Sequence, residues 1–381
     1  MNRRIGLLVA AFAMAAAMMA MDATARDAGT VTRTLQQSVN VPAGGSVTVE
    51  NLVGHMRVVQ GNGPLQIDAT VVAGGDQAQA LAQSVRFDVS QDHNQVSVHV
   101  DYPVAHYDTF LYQPQNAGPY ASDEVCIVGK LICFHGTSSS TLSYQGRQVR
   151  VNQSAKGGSG APLYVDVVVH VPANASAKFS NAVGLLEVDG LTNDLNLVAM
   201  GGSIRVQNTR GRLDVRSDGG DVYLNDVTSP NARMRSDGGD LTGRHLSGDL
   251  HLMASGGDIK LATVAGKLSL SSGGGDVRMD GDLASLRSLN ARLGGGDMDV
   301  SGDLAGLDSL RAESGGGDIE FHTSNLSMHL DASTGGGSVH VDLPGMRNVD
   351  RSPEHLSCDV GKATGTGVLH AGGGDITVTQ P

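Results

Sequence analysis

The chain has 381 residues, a formal net charge of −12 and Gly at 52 positions, about twice ordinary usage, with no Trp, 7 Tyr and 6 Phe. So few large side chains cannot fill a thick core, yet 40% hydrophobic against 17% charged content is too apolar for a disordered acidic chain. The acidity excludes a general electrostatic attraction to nucleic acid or to anionic lipid.

At the N-terminus, Arg3 and Arg4 precede an uncharged run over 5–21, and Ala23-Thr24-Ala25 supplies a small-x-small cleavage pattern. Residues 1–25 therefore read as a secretory signal peptide cut near Arg26, delivering an extracytoplasmic protein, periplasmic or secreted to the cell surface. An uncleaved anchor competes with this reading, but a span wants about 20 residues of stronger hydrophobicity. No Cys at the cut could take a lipid, so no stable membrane insertion is expected after cleavage. Residues 26–37 read as a linker.

Residues 38–175 carry long alternating strands without a repeat, as in Val47 and Val49, Met56 and Val58, Val96 through Val100 and Tyr164 through Val171, with one short helix over 77–84. This is an N-terminal β-rich capping region, needed because an open end would expose unpaired strand edges. Within it, an insertion at 102–144 gathers Tyr102, Tyr107, Phe110, Tyr112, Tyr120, Phe134 and Tyr144 with His106, His135, Cys126 and Cys133. The favoured reading is a hydrophobic lid over the solenoid end, stapled by a Cys126–Cys133 disulfide. The alternative is a ligand surface in which Tyr102, Tyr107, Phe110, Tyr112 and Tyr120 stack on sugar rings. A metal site from Cys126, Cys133 and His135 lacks the spacing of a standard zinc knuckle. Cys358 is left as the free thiol.

From residue 176 to 381 one phrase recurs, from Gly201-Gly202-Ser203 through Gly219-Gly220-Asp221 to Gly336-Gly337-Ser338 and Gly373-Gly374-Asp375, at intervals of 18, 19, 18, 18, 21, 21, 20 and 37. A period near 20 marks a solenoid. Each phrase is followed by period-two apolar residues such as Val222 and Leu224, and many are preceded by another such run, as in Leu213 and Val215. The fold class is therefore all-β: a single-stranded β-solenoid of coils with period 18–21, stacked about 4.8 Å apart. Glycine is expected at the corners for positive φ. The last interval reads as two coils interrupted by an insertion at 344–367.

Asp221, Asp240, Asp258, Asp276, Asp297 and Asp318 would stack as a ladder. Carboxylates at that spacing repel by roughly 0.9 kcal/mol in water. Hydrogen bonds from the N–H groups of each residue's own Gly turn are the first explanation of how they coexist. A row of Ca²⁺ ions is the second, although Ser203 and Ser338 interrupt it.

The opening Val41-Pro42-Ala43-Gly44-Gly45-Ser46-Val47, the strand end Val169-His170-Val171-Pro172 leading to Val183-Gly184-Leu185, and the serial Gly-Gly-Asp coils resemble the bacterial "putative adhesin" family of β-strand repeats, a domain of unknown function. The resemblance spans 38–381 and implies an exported, envelope-associated β-solenoid, with no catalytic residues to transfer. No metalloprotease helix, nucleophile elbow or phosphate-cradling loop is present. The expectation is a non-enzymatic envelope protein acting as an interaction or adhesin-like scaffold, with no cofactor apart from candidate calcium. Its partner would be an envelope protein or glycan, and no nucleic acid. The alternatives are a polysaccharide-active β-helix enzyme and an envelope-stress accessory or sensor module that binds a protein.

Overall fold

Strands with one apolar side are stable only when that side is covered, and here successive coils cover one another. The computed structural model describes residues 20–25, 29–113, 124–127, 132–135, 138–154 and 158–381, with backbone alone for 20–25, 124–127, 132–135 and 138. The chain is a β-solenoid, and its one helix among the described residues is Ala78–Ser84.

Each coil has a leading face before the Gly-Gly corner, a trailing face after it, and a short side that returns to the next leading face. In one coil Leu213 and Val215 point inward on the leading face, Val222 and Leu224 on the trailing face, and Val227 on the short side. The turn between trailing face and short side needs a left-handed residue, and Asn208, Asp226, His245 and Thr263 occupy it in successive coils with φ of 51°, 54°, 51° and 60°. These coils pair in parallel, Leu213 with Ala232, Ala232 with Leu250 and Leu250 with Leu268. The inward side chains merge into one apolar cluster along the stack.

The stack reaches further toward the N-terminus than the Gly-rich phrases do. Strand Ser46–Gly61 pairs in parallel with Ser176–Asp189, from Ser46 opposite Ser176 to Val59 opposite Asp189. Beyond it, Ala161–Pro172 continues the trailing face, followed by Leu65–Gly74, Thr30–Val39 and Ala20–Ala25, each antiparallel to the strand before it. On the leading face Gln95–Asp101 is followed by antiparallel Arg86–Asp92. The change from parallel to antiparallel pairing lets the chain double back over the end of the stack. Residues 1–19 of the expected signal peptide lie outside the described residues.

At the other end the two final coils do not follow chain order. Strands Gly365–Ala371 and Ile376–Thr379 lie between the coil of Ser309–Ser314 and Ile319–Thr323 and the coil of Met328–Thr334 and Val339–Asp342. The C-terminal coil is thus intercalated out of chain order, an arrangement on which the reading of two coils, one interrupted at 344–367, is silent. The reason is a hairpin: His355–Asp359 pairs antiparallel with Met328–Thr334 and with Arg347–Arg351, so it occupies the outer edge of the 328–342 coil. The edge left for the last coil faces inward along the stack.

Candidate functional site

The Gly-Gly-Asp corners are built from contacts between coils. A Cβ on the second glycine of the phrase would lie 2.0 Å from the Gly184 carbonyl oxygen at Gly202, 2.4 Å from that of Gly202 at Gly220 and 2.2 Å from that of Gly257 at Gly275. The first glycine has room in the later coils, with nothing within 4 Å at Gly274, Gly295, Gly316 and Gly373, whereas a Cβ at Gly219 or Gly238 would stand 3.2 or 3.3 Å from a carbonyl oxygen and one at Gly201 would meet the Ser140 side chain. Neither position falls among the positive-φ residues from Gly201 onward, so the expected conformational reason is corrected. Glycine is required at the second position because two backbones touch there, and in the Gly-Gly-Gly corners the residue before the phrase is equally confined, Gly273 by the Ser255 carbonyl at 2.3 Å and Gly294 by that of Gly273 at 2.2 Å.

The aspartates span the same gap. Asp258 Oδ1 accepts from Asp276 N at 3.0 Å, Asp276 Oδ1 from Asp297 N at 2.9 Å, and Asp297 Oδ1 from Asp318 N at 2.8 Å. Asp221 and Asp240 accept likewise from Asp240 N and Asp258 N. The row then continues out of chain order, from Asp318 to Asp375 N at 2.7 Å and from Asp375 to Ser338 N at 2.6 Å. The donors belong to the next coil, not to the residue's own turn, which corrects the expected geometry. Second oxygens are also engaged in part, Asp221 Oδ2 by the Tyr223 hydroxyl and both Asp240 and Asp258 by Lys260 Nζ at 3.1 Å. The N–H of Asp276 first, and then Lys260, hold the Asp258 carboxyl below the usual range. Among the described residues no three His, Cys, Asp or Glu side chains converge as metal ligands would.

Behind several corners lies a buried polar position that sequence reasoning missed, and Ala199, Ala254, Leu293 and Ala371 take it in the other coils. Ser217 Oγ donates to the Gly220 carbonyl at 2.7 Å, and Ser236 and Ser272 do the same for Gly239 and Gly275 at 2.7 and 2.6 Å. In the first coils the position is Asn51 and Asn181, joined at 2.9 Å, with Tyr102 donating to Asn51 at 3.0 Å. The fixed spacing of four residues between a small hydroxyl and the ladder Asp was the available signal.

Tyr102, Phe110 and Tyr112 are 2%, 0% and 1% exposed, so the expected sugar-stacking surface does not form from them. Tyr102 packs edge-on against Phe110 and Tyr144, and Tyr112 against Tyr164. Tyr107 is partly buried against the core and donates its hydroxyl to Gln77. Tyr120 lies outside the described residues. Strands Glu124–Ile127 and Ile132–His135 set Cys126 opposite Cys133, while the side chains on which the disulfide depends lie outside the described residues. Cys358 is a buried free thiol whose pKa burial pushes up.

Two further carboxyls carry opposite shifts. Asp166 accepts from His55 N at 2.8 Å, yet burial pushes its carboxyl up. Glu187 is held down, chiefly by its 3.1 Å bond from His55 Nε2.

The concave surface lies elsewhere, on the leading face of the solenoid. Two hollows of about 370 and 450 Å³ adjoin there and share Asp214 and Arg233. Alternation turns Leu213, Val215, Ala232 and Met234 inward, so Asp214, Arg216, Arg233 and Arg235 must face out. Register sets Asp214 beside Arg233 and Arg216 beside Arg235. Arg216 Nε bonds Asp218 and Arg235 Nε bonds Asp237, both at 2.7 Å, at the rim. Among the described residues, Lys178, Arg212 and Arg233 make no ion pair. Sequence reasoning missed this groove, since its cations come from separate coils.

Residues 139–285 match the model of the Toastrack DUF4097 family. No curated protein matches the chain. Among solved structures, a "putative cell adhesion protein" from Clostridium sporogenes ATCC 15579 aligns over 92% of this chain and all 100% of its own, at 9% identity and a TM-score of 0.20.

Proposed function

We propose that the chain is a non-enzymatic, exported envelope protein whose β-solenoid is an interaction scaffold of adhesin-like kind. The carrying observation is where the reactive groups are used: every ladder Asp from Asp221 to Asp318 gives an oxygen to the next coil's backbone. A lyase or hydrolase on such a helix needs carboxylates free in a groove. Here the groove's two carboxylates, Asp194 and Asp214, stand among Lys178, Arg212, Arg216, Arg233 and Arg235, and Asp194 Oδ1 accepts from Arg212 N. The match to a Toastrack region supports the architecture on which this reading rests.

Incubating purified protein with envelope polysaccharides, then measuring chain length and retention on immobilised protein, tests the reading. Retention without shortening is expected. Accumulation of short oligosaccharides would refute it.

A further inference from the structure

The leading-face groove has a charge opposite to that of the molecule. Five cationic residues, Lys178, Arg212, Arg216, Arg233 and Arg235, line the two hollows against Asp194 and Asp214, in a chain of net charge −12. The register stacks Lys178 beside Asn196, Asn196 beside Asp214 and Asp214 beside Arg233, so the cations follow the solenoid axis at multiples of about 4.8 Å. The rim carboxylates of Asp218 and Asp237 hold Arg216 and Arg235 through Nε, and Asp237 also stands 3.9 Å from Arg216 Nη2, so the cations without an ion pair among the described residues are Lys178, Arg212 and Arg233.

Three features select the occupant. Leading-face strands in this region are hydrogen-bonded on both sides, so no edge is offered for a peptide to add as a strand. No Phe, Tyr or Trp lines either hollow, the one imidazole being that of His251, and the one large exposed apolar residue there is Met253, 42% exposed. A protein partner would have little anchor, and a neutral sugar no stacking face. What remains is charge with hydroxyl and amide groups around it, from Asn196, Asn231, Ser269 and Ser271.

The geometry points to an acidic polysaccharide lying along this groove, its carboxylates met by Arg212, Arg233 and Lys178 and its hydroxyls by the Asn and Ser side chains. This deepens the scaffold reading and rests on it. Guanidinium matches carboxylate as a two-pronged donor, and the serial spacing rewards a polymer over a single anion.

Polygalacturonate is the probe, with dextran as its neutral counterpart and poly-L-glutamate as an acidic peptide, each titrated against the full chain at low and moderate salt. Polygalacturonate is expected to bind, weaker with rising salt, and dextran to show no binding. R212E and R233E should each weaken it at least tenfold with an unchanged melting temperature, since both side chains are exposed. R244E makes the same charge change at an exposed position of the trailing face and should leave binding within about twofold. Equal losses in R233E and R244E would overturn the groove, as would binding of dextran. Equal binding of poly-L-glutamate with the same Arg dependence would overturn the glycan in favour of an acidic peptide. If none of the three probes binds while another envelope component is retained uncut, this inference fails and the scaffold reading stands. If polysaccharide is shortened, the scaffold reading itself fails.

Discussion

Substituting alanine at each glycine of one corner separates conformational freedom from backbone contact. At Gly275 the new Cβ would stand 2.2 Å from the Gly257 carbonyl oxygen, where ordinary contact begins at 3.4 Å, so the coils must separate locally by about 1 Å. That displacement opens the inter-coil bonds Ile259 N to Asp276 O at 2.8 Å, Asp276 N to Asp258 Oδ1 at 3.0 Å and Gly273 N to Ala254 O at 2.9 Å. With each bond contributing a net ~0.5–1.5 kcal/mol, Gly275→Ala should cost about 2–4 kcal/mol. Gly274→Ala meets nothing within 4 Å and should be neutral or stabilising by ~0.4–1 kcal/mol, through the unfolded chain. In the two earliest coils Val53 and Val183 fill the first position, while Gly54 and Gly184, there at φ of 135° and 109°, keep the second for both reasons together. Denaturant unfolding, with hydrogen exchange to localise the loosened coils, reads both variants. Equal destabilisation by the two, or a neutral Gly275→Ala, would refute the contact argument.

Two carboxyls should show opposite pH signatures. The folded pKa of Asp258 is depressed, so its contribution is present above the unfolded value of about 4 and lost as pH falls through the folded value. Asp258→Asn should therefore be less stable than wild type at pH 7, with the gap closing below about pH 4 in acid unfolding. Asp166 has a raised pKa, so its contribution is full below about 4 and lost as pH rises through the folded value. Asp166→Asn keeps an acceptor for His55 N and should gain on wild type as pH rises from 4 to 7 in the same assay. For the intercalated coil, Glu320→Cys should form a disulfide with Thr377→Cys, its register partner, and none with His340→Cys, one coil further away. The reverse pattern on non-reducing gels would establish a sequential stack.

The coil period and the inward strand residues were legible because both are local: Val222 and Leu224 alternate within one strand whatever stacks on it. The short helix was legible for the same reason, at Ala78–Ser84 against the expected 77–84. Contacts between coils were not. Which glycine of each pair is indispensable depends on a carbonyl about 18 residues away, and so does the donor that each Asp receives. An interval of 37 residues fits two coils in either order, and only the hairpin at 347–359 decides between them. Tyr102 lay in a segment read as a hydrophobic lid or else a ligand surface, and only the fold shows that its hydroxyl reaches Asn51 and Val53, far back in the chain. The groove cations were visible singly and meaningless until Arg216 was set beside Arg235.

The central claim is that the corner column joins the coils through hydrogen bonds from backbone N–H to Asp, not through bound ions. Thermal unfolding of the chelated protein, with and without millimolar Ca²⁺, tests it most directly, because an ion held by the folded ladder must raise the melting temperature. The account predicts superimposable transitions. A rise of several degrees in wild type that vanishes in Asp276→Asn and Asp297→Asn would contradict it and make the ladder an ion site.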